Sequence, residues 1–183
     1  MKSLLKTFLR NRKAAIGLTI VLIYVIIAIA APLIAQYDPL GRVGRPHQAP
    51  SADHWLGTTR MGRDVFSQLI YGTRNSLMVG LLAGFIVTAI GTTIGITAAY
   101  FGGKVDDVLN FMTNVVLVLP QLPLLLVLAA FLGQVSPLAI ALIIGVTSWA
   151  WGARVTRAQA LSLKTRDYIQ ASEMIGEPAW RMI

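Results

Sequence analysis

The chain has 183 residues and a formal net charge of +8, with 55% hydrophobic residues, 13% charged residues and no cysteine. Soluble globular domains have about 45–50% apolar and about 25% charged residues, so this composition excludes an ordinary soluble protein and predicts lipid as the main solvent. The basic residues lie in blocks that flank apolar runs, a placement that predicts membrane orientation and no nucleic-acid partner.

Four apolar runs predict membrane spans, since about 20 apolar residues cross roughly 30 Å of hydrocarbon. The expected fold class is therefore all-α, a polytopic transmembrane helical bundle. The first run has an alternative reading as a cleaved signal sequence, because Ala28-Ile29-Ala30 follows a small-x-small pattern, but signal cores are about 7–15 residues long and this run is longer. The predicted spans are 14–35, 75–101, 108–132 (proline-broken) and 137–153.

The distribution of Lys and Arg predicts the orientation of these spans in a plasma (inner) membrane. The basic segment 1–13 is expected in the cytoplasm, and so is the tail 154–183. This arrangement leaves 36–74 outside and makes Lys104–Asp107 a short inner connection.

The segment 36–74 has two parts with different sequence patterns, and Asp64 divides them. Glycine and proline punctuate the part before Asp64, which predicts an irregular external loop. After it, the apolar residues Val65, Phe66, Leu69 and Ile70 recur at helical spacing and predict a short interfacial helix before the second span.

Two histidines in this loop, His47 and His54, raise the question of a metal site with Asp38 and Asp53. The four residues lack the compact spacing of metal ligands. We therefore expect a solvated loop and no metal site.

The second span carries a stripe of small residues. Its glycines allow two helix backbones to approach closely, and in lipid such contacts drive helix association. The stripe predicts helix packing, and a lining of the solute path is the alternative. Its members are Gly80, Gly84, Gly91 and Gly95.

The third span is interrupted by Pro120, Gln121 and Pro123. Each proline removes a backbone donor, and broken backbone in hydrocarbon must face protein or water. The interruption predicts either a kink that serves packing alone or a hinge that lines a pathway.

No ionisable residue lies within the predicted spans, which argues against proton or sodium coupling. The chain also lacks a phosphate-binding glycine loop and any catalytic constellation, so no enzyme activity and no cofactor are expected on it.

The tail contains a predicted short helix from Tyr168 to Ile175. Asp167 and Gln170 have the spacing of a capping box, and Gly176 is placed to end the helix in a left-handed conformation. One face would present an apolar and small-residue ridge to a partner, formed by Tyr168, Ala171, Ser172 and Ile175.

The stretch from Asp167 to Gly176 resembles the Glu-Ala-Ala-x-x-x-Gly cytoplasmic loop of permease subunits of binding-protein-dependent ABC importers, in the dipeptide, oligopeptide and nickel branch. Gln170, Ala171, Ser172 and Gly176 occupy the key positions, with Gln in place of Glu and Ser in place of Ala. The segments 56–72 and 151–159 also resemble this branch.

The resemblance implies a mechanism in which the helix couples to ABC ATPase subunits that hold ATP and magnesium. It also implies a second homologous permease subunit, an extracytoplasmic solute-binding protein and a surrounding lipid bilayer. Such permeases have about six spans, so the chain is expected to be truncated after the fourth. The alternatives are a self-associating channel or facilitator and a truncated membrane protein that transports nothing.

Overall fold

The computed structural model describes residues 11–133, 136–178 and 181. The predicted cytoplasmic placement of 1–13 therefore falls mostly outside the described residues. The described residues form helices and no strand, with one isolated antiparallel bridge between Thr58 and Asp64, and the predicted all-α class is confirmed. The helices are α1 Arg12–Ile34, α2 Val65–Phe101, α3 Gly103–Val118, α4 Gln121–Leu132, α5 Pro137–Lys164 and α6 Asp167–Met174.

Three of these helices, α1, α2 and α5, are long and apolar enough to cross a membrane. Helices α3 and α4 pass the same test only as a pair, and they meet at an angle of 81°. The described part of the chain thus contains three candidate spans, or four if the bent pair counts as one.

The chain divides into two compact units, residues 1–78 and 79–183. In the first unit, α1 is followed by an irregular segment, residues 35–64, which we call the α1–α2 loop. The short helix predicted after Asp64 is helical as expected, but it forms the first turns of α2, which runs without interruption for 37 residues. The change from polar to apolar residues near Leu77 marks a change of surroundings and not a helix end, since no proline lies between Val65 and Phe101.

Two other helices also extend beyond the predicted spans. Lys104–Asp107, the predicted inner connection, is helical and belongs to α3, and the turn lies at Gly102 and Gly103, which have φ angles of 64° and 51°. Helix α5 continues well past the apolar run to Lys164. Charged residues are compatible with helix, so hydropathy locates the membrane boundary and not the helix terminus.

In the second unit, one half of the glycine stripe of α2 packs against another helix. A Cβ atom built on Gly91 would lie 3.0 Å from the carbonyl oxygen of Trp149 in α5, and one built on Gly95 would lie 2.6 Å from that of Ala153. No atom lies within 4 Å of the corresponding positions on Gly80 and Gly84. The predicted helix packing is therefore confirmed at Gly91 and Gly95, where the backbones of α2 and α5 touch.

Candidate functional site

Helix α6 follows α5 after two residues, Thr165 and Arg166. The Arg166 amide donates to the Leu163 carbonyl at 3.0 Å, and the Arg166 carbonyl accepts from the amide of Gln170 at 3.1 Å. The predicted cap at Asp167 is wrong, because Asp167 is the first helical residue. The Gln170 amide, which the Asp167 carboxylate was expected to accept, donates instead to the Arg166 carbonyl. As an acid in the first turn, Asp167 still interacts favourably with the helix dipole.

The other end of α6 is closed as predicted. Gly176 has a φ angle of 77°, and the Glu177 amide donates to the Ser172 carbonyl at 3.1 Å. This is the six-residue hydrogen bond of a Schellman ending, which satisfies a carbonyl that the helix leaves unpaired. The chain therefore leaves α6 in a fixed direction.

One side of α6 is anchored and the other is exposed. Tyr168 and Ile169 border a cleft of about 230 Å³, together with residues from α2 and α5 that include Ile96 and Leu163. On the exposed side, Ile175 and Met174 are 78% and 87% exposed. Tyr168 is 60% exposed, and the aligned Ala171 is exposed as well. The predicted ridge is thus available to a partner, apart from Ser172, which is half-buried and donates its hydroxyl to the Tyr168 carbonyl at 2.9 Å.

Three basic residues of α5 make polar contacts with α2 and α3. The Arg157 guanidinium of α5 donates two hydrogen bonds to the two carboxylate oxygens of Asp106 in α3. The Arg154 guanidinium donates to Asn114 Oδ1 at 2.6 Å. Lys164 Nζ donates to the Tyr100 carbonyl oxygen at the end of α2 at 2.6 Å.

We call these three contacts the basic clamp. Sequence reasoning used its basic residues for membrane orientation and for the resemblance of the segment 151–159, and it predicted no contacts for them, because their partners lie 40 to 64 positions away in the chain. The three-residue spacing of Arg154 and Arg157, which places both on one face of a helix, was the only available signal.

The proline break between α3 and α4 is confirmed. Pro120 is the residue that precedes α4, and Pro123 lies in its first turn, where a missing amide costs little because first-turn amides have no partner within the helix. The side-chain amide of Gln121 donates to the hydroxyl of Ser148 in α5. The choice between a packing kink and a pathway hinge stays a prediction.

The α1–α2 loop contains the second cluster of polar side chains. His54 was predicted to be solvated, and this prediction is wrong: it is only 6% exposed, and its Nδ1 lies 3.0 Å from Asp64 Oδ1. The other oxygen of Asp64 accepts from the backbone amide and the hydroxyl of Ser67, each at 2.8 Å. The Ser67 oxygen in turn accepts from the Tyr37 amide at 3.2 Å.

Burial opposes ionisation of Asp64, but its hydrogen bonds outweigh that effect and hold the pKa below the ordinary value of 3.8. The hydrogen bonds come from the backbone and hydroxyl of Ser67 and from His54. The carboxylate therefore stays charged at neutral pH and caps the first turn of α2.

Histidine, aspartate and serine also form the catalytic triads of hydrolases, but the order of these three side chains in space excludes triad chemistry here. The carboxylate of Asp64 lies between the imidazole of His54 and the hydroxyl of Ser67, so the imidazole has no contact through which to deprotonate the serine. His47 is exposed. Within residues 11–133, 136–178 and 181, no three His, Cys, Asp or Glu residues are grouped to hold a metal ion.

Comparison with known proteins identifies two matching family models. Residues 91–183 match the binding-protein-dependent transport system inner membrane component family, and residues 1–53 match the N-terminal TM domain of oligopeptide transport permease C. The first match covers just over half of the chain and includes the basic clamp and α6.

Three curated relatives are similar over nearly the whole chain. The dipeptide transport system permease protein DppC of Bacillus subtilis is 35% identical over 95% of this chain and 54% of the relative. DppC of Haemophilus influenzae is 34% identical over 96% of this chain and 62% of the relative. The probable D,D-dipeptide transport system permease protein DdpC of Escherichia coli is 32% identical over 90% and 55%.

The chain spans little more than half the length of these relatives. Its apolar helices and the match over residues 91–183 agree with one another, and the chain belongs to the family of inner-membrane components of binding-protein-dependent transport systems.

Proposed function

We propose that the chain forms part of the solute pathway of an ATP-driven importer and that α6 docks on a separate ABC ATPase subunit. Dipeptides and similar small solutes are the proposed cargo, because the relatives named above are dipeptide and D,D-dipeptide permeases. A second permease subunit completes the pathway, and an extracytoplasmic binding protein delivers the solute.

The observation that carries the proposal is the combination of an anchored base and an exposed ridge on α6. A short helix with apolar residues on an open face suits a groove on a partner protein. Tyr168 and Ile175 supply the apolar contacts, and the small side chain of Ala171 lets a partner approach the helix between them. The basic clamp fixes the platform from which the ridge projects.

The same assignment gives the orientation. ATP and magnesium are held by the partner subunit in the cytoplasm, so α6 and the basic end of α5 lie on the cytoplasmic side. Arg154, Arg157 and Lys164 on that side satisfy the positive-inside rule. The α1–α2 loop then lies outside, where the binding protein approaches.

The test is solute uptake by the complete importer in proteoliposomes, with Ala171→Trp as the variant. Ala171→Ser, which keeps a side chain of nearly the native size, is the control. A large side chain at this exposed position holds the partner away from the ridge, so ATP-driven uptake and co-purification of the ATPase should be lost, with unchanged membrane insertion. Ala171→Ser should keep both.

Unchanged uptake in Ala171→Trp would overturn the docking assignment. Uptake by the chain alone, with no ATPase present, would support a self-associating channel instead.

A further inference from the structure

Three helices of the second unit meet at Arg157. Its side chain binds Asp106 of α3 in a two-bond, side-on geometry, with the two side chains 28% and 18% exposed. Its backbone touches α2, because a Cβ atom built on Gly95 would lie 2.9 Å from the Arg157 amide nitrogen. A displacement of α5 at this level therefore acts on both neighbouring helices.

Helix α3 connects this point to the proline break. Asp106 lies in its first turn, and the helix ends at Val118, next to Leu119 and Pro120. Sixteen helical residues span about 24 Å and bend little, so a shift of the first turn is carried to the break. From the break, α4 leaves at 81°.

Helix α6 stands at the other end of the same path, two residues beyond α5. We infer that the Arg157–Asp106 pair is a positioning contact that makes α3 follow α5, so that a displacement of α6 moves the Leu119–Pro120 break. This inference rests on the proposed function of α6, and it assigns to the pair a part in coupling that goes beyond stabilising the fold.

A bidentate arginine–carboxylate pair suits this task. Two parallel hydrogen bonds fix the orientation of the partners as well as their distance, and the reduced exposure of both groups limits screening by salt. The adjacent Asp107 provides a control for charge alone, because it is exposed and its side chain makes no hydrogen bond within the described residues, so it acts on Arg157 only by a through-space attraction.

The experiment measures solute uptake and ATP hydrolysis together in the complete importer. In Asp106→Asn, the amount of solute taken up per ATP should fall about tenfold, an ordinary size for the coupling between two sites, while ATP hydrolysis continues. Asp107→Asn removes the same charge and should leave the ratio unchanged. The exchanged pair Asp106→Arg with Arg157→Asp should recover part of the ratio. Arg157→Lys keeps the charge but loses the two-bond geometry, so its ratio should lie between those of the unmodified importer and Asp106→Asn.

A distance measurement separates coupling from simple destabilisation. The chain has no cysteine, so Val118→Cys with Gln159→Cys accepts two spin labels at exposed sites on α3 and α5 when the partner subunits are cysteine-free. With Asp106 present, the distance between the labels should stay constant between nucleotide-free and vanadate-trapped states. In Asp106→Asn it should change or broaden.

Either an unchanged transport ratio or an unchanged label distance in Asp106→Asn would overturn the inference while leaving the proposed function intact. Absence of ATP-driven uptake in the unmodified importer would instead refute the proposed function.

Discussion

The two halves of the glycine stripe on α2 have the same sequence pattern and opposite surroundings. Gly91 and Gly95 allow the backbone of α5 to approach within contact distance, whereas the space beside Gly80 and Gly84 holds no atom within 4 Å. A small-xxx-small pair therefore indicates that a helix can be approached closely, and only the fold decides which pair is used. Space beside the open pair remains for lipid or a partner.

The strongest test of this contrast is Gly95→Leu. The neighbouring atoms are backbone atoms of α5, at 2.6 Å from Ala153 O and 2.9 Å from Arg157 N, and they cannot move independently of the helix. We expect the purified chain to lose about 1–3 kcal/mol of stability, as in overpacked cores, measured as a lower midpoint of thermal unfolding in detergent. Gly95→Ala should act in the same direction with a smaller effect. An unchanged midpoint in Gly95→Leu would contradict the close packing of α2 on α5.

A pH titration sharpens the contrast between packing and polar contacts. The pKa of Asp64 is lower in the folded loop than in the unfolded chain, so its stabilising contribution is complete above about pH 4, near the ordinary carboxyl pKa, and is lost as the pH falls through the folded value. Amide hydrogen exchange in residues 57–65, corrected for intrinsic rates, should show protection that is level from pH 7 to pH 5 and falls below about pH 4.

Asp64→Asn is the control for that titration. It should reduce protection by an amount that corresponds to about 1–3 kcal/mol at neutral pH, because a buried charged acceptor is lost, and it should remove the acid-dependent step. Persistence of the step in Asp64→Asn would mean that another group causes it.

The smallest effect is expected for Gly84→Leu in the isolated chain. With open space beside it, the added side chain should change the free energy of unfolding by no more than about 0.5 kcal/mol. The same substitution in the proposed importer tells whether the proposed second subunit covers this half: loss of complex formation would place that subunit here, and normal assembly would leave the surface to lipid. A large loss of stability in the isolated chain would remove the distinction between the halves.

The features that sequence predicted correctly depend on neighbours along the chain. Apolar runs located the helices that are able to cross a membrane, Pro120 and Pro123 located the break, and Gly176 located the left-handed end of α6. Each of these residues acts on backbone that lies within a few positions of it.

The features that sequence reasoning missed depend on residues that are distant in the chain. His54 was predicted to be solvated because nothing adjacent to it indicates that Asp64 folds back onto its ring. The partners of Arg157 and Lys164 were equally unpredictable from the sequence, since 51 and 64 positions separate these residues from their acceptors. Side-chain partners across such distances are set by helix packing, which hydropathy does not encode.

The two-residue link between α5 and α6 has a mechanical consequence. Thr165 and Arg166 are hydrogen-bonded to the turns on either side, through the Thr165 hydroxyl to the Ser162 carbonyl and through the Arg166 amide and carbonyl, so α6 has little freedom to swivel. Such a joint transmits torque as well as push and pull, and it does so in both directions. In the proposed importer, reciprocity then requires that solute arriving at the outer mouth alters how tightly the ATPase holds its nucleotide, by the same factor with which nucleotide alters solute binding.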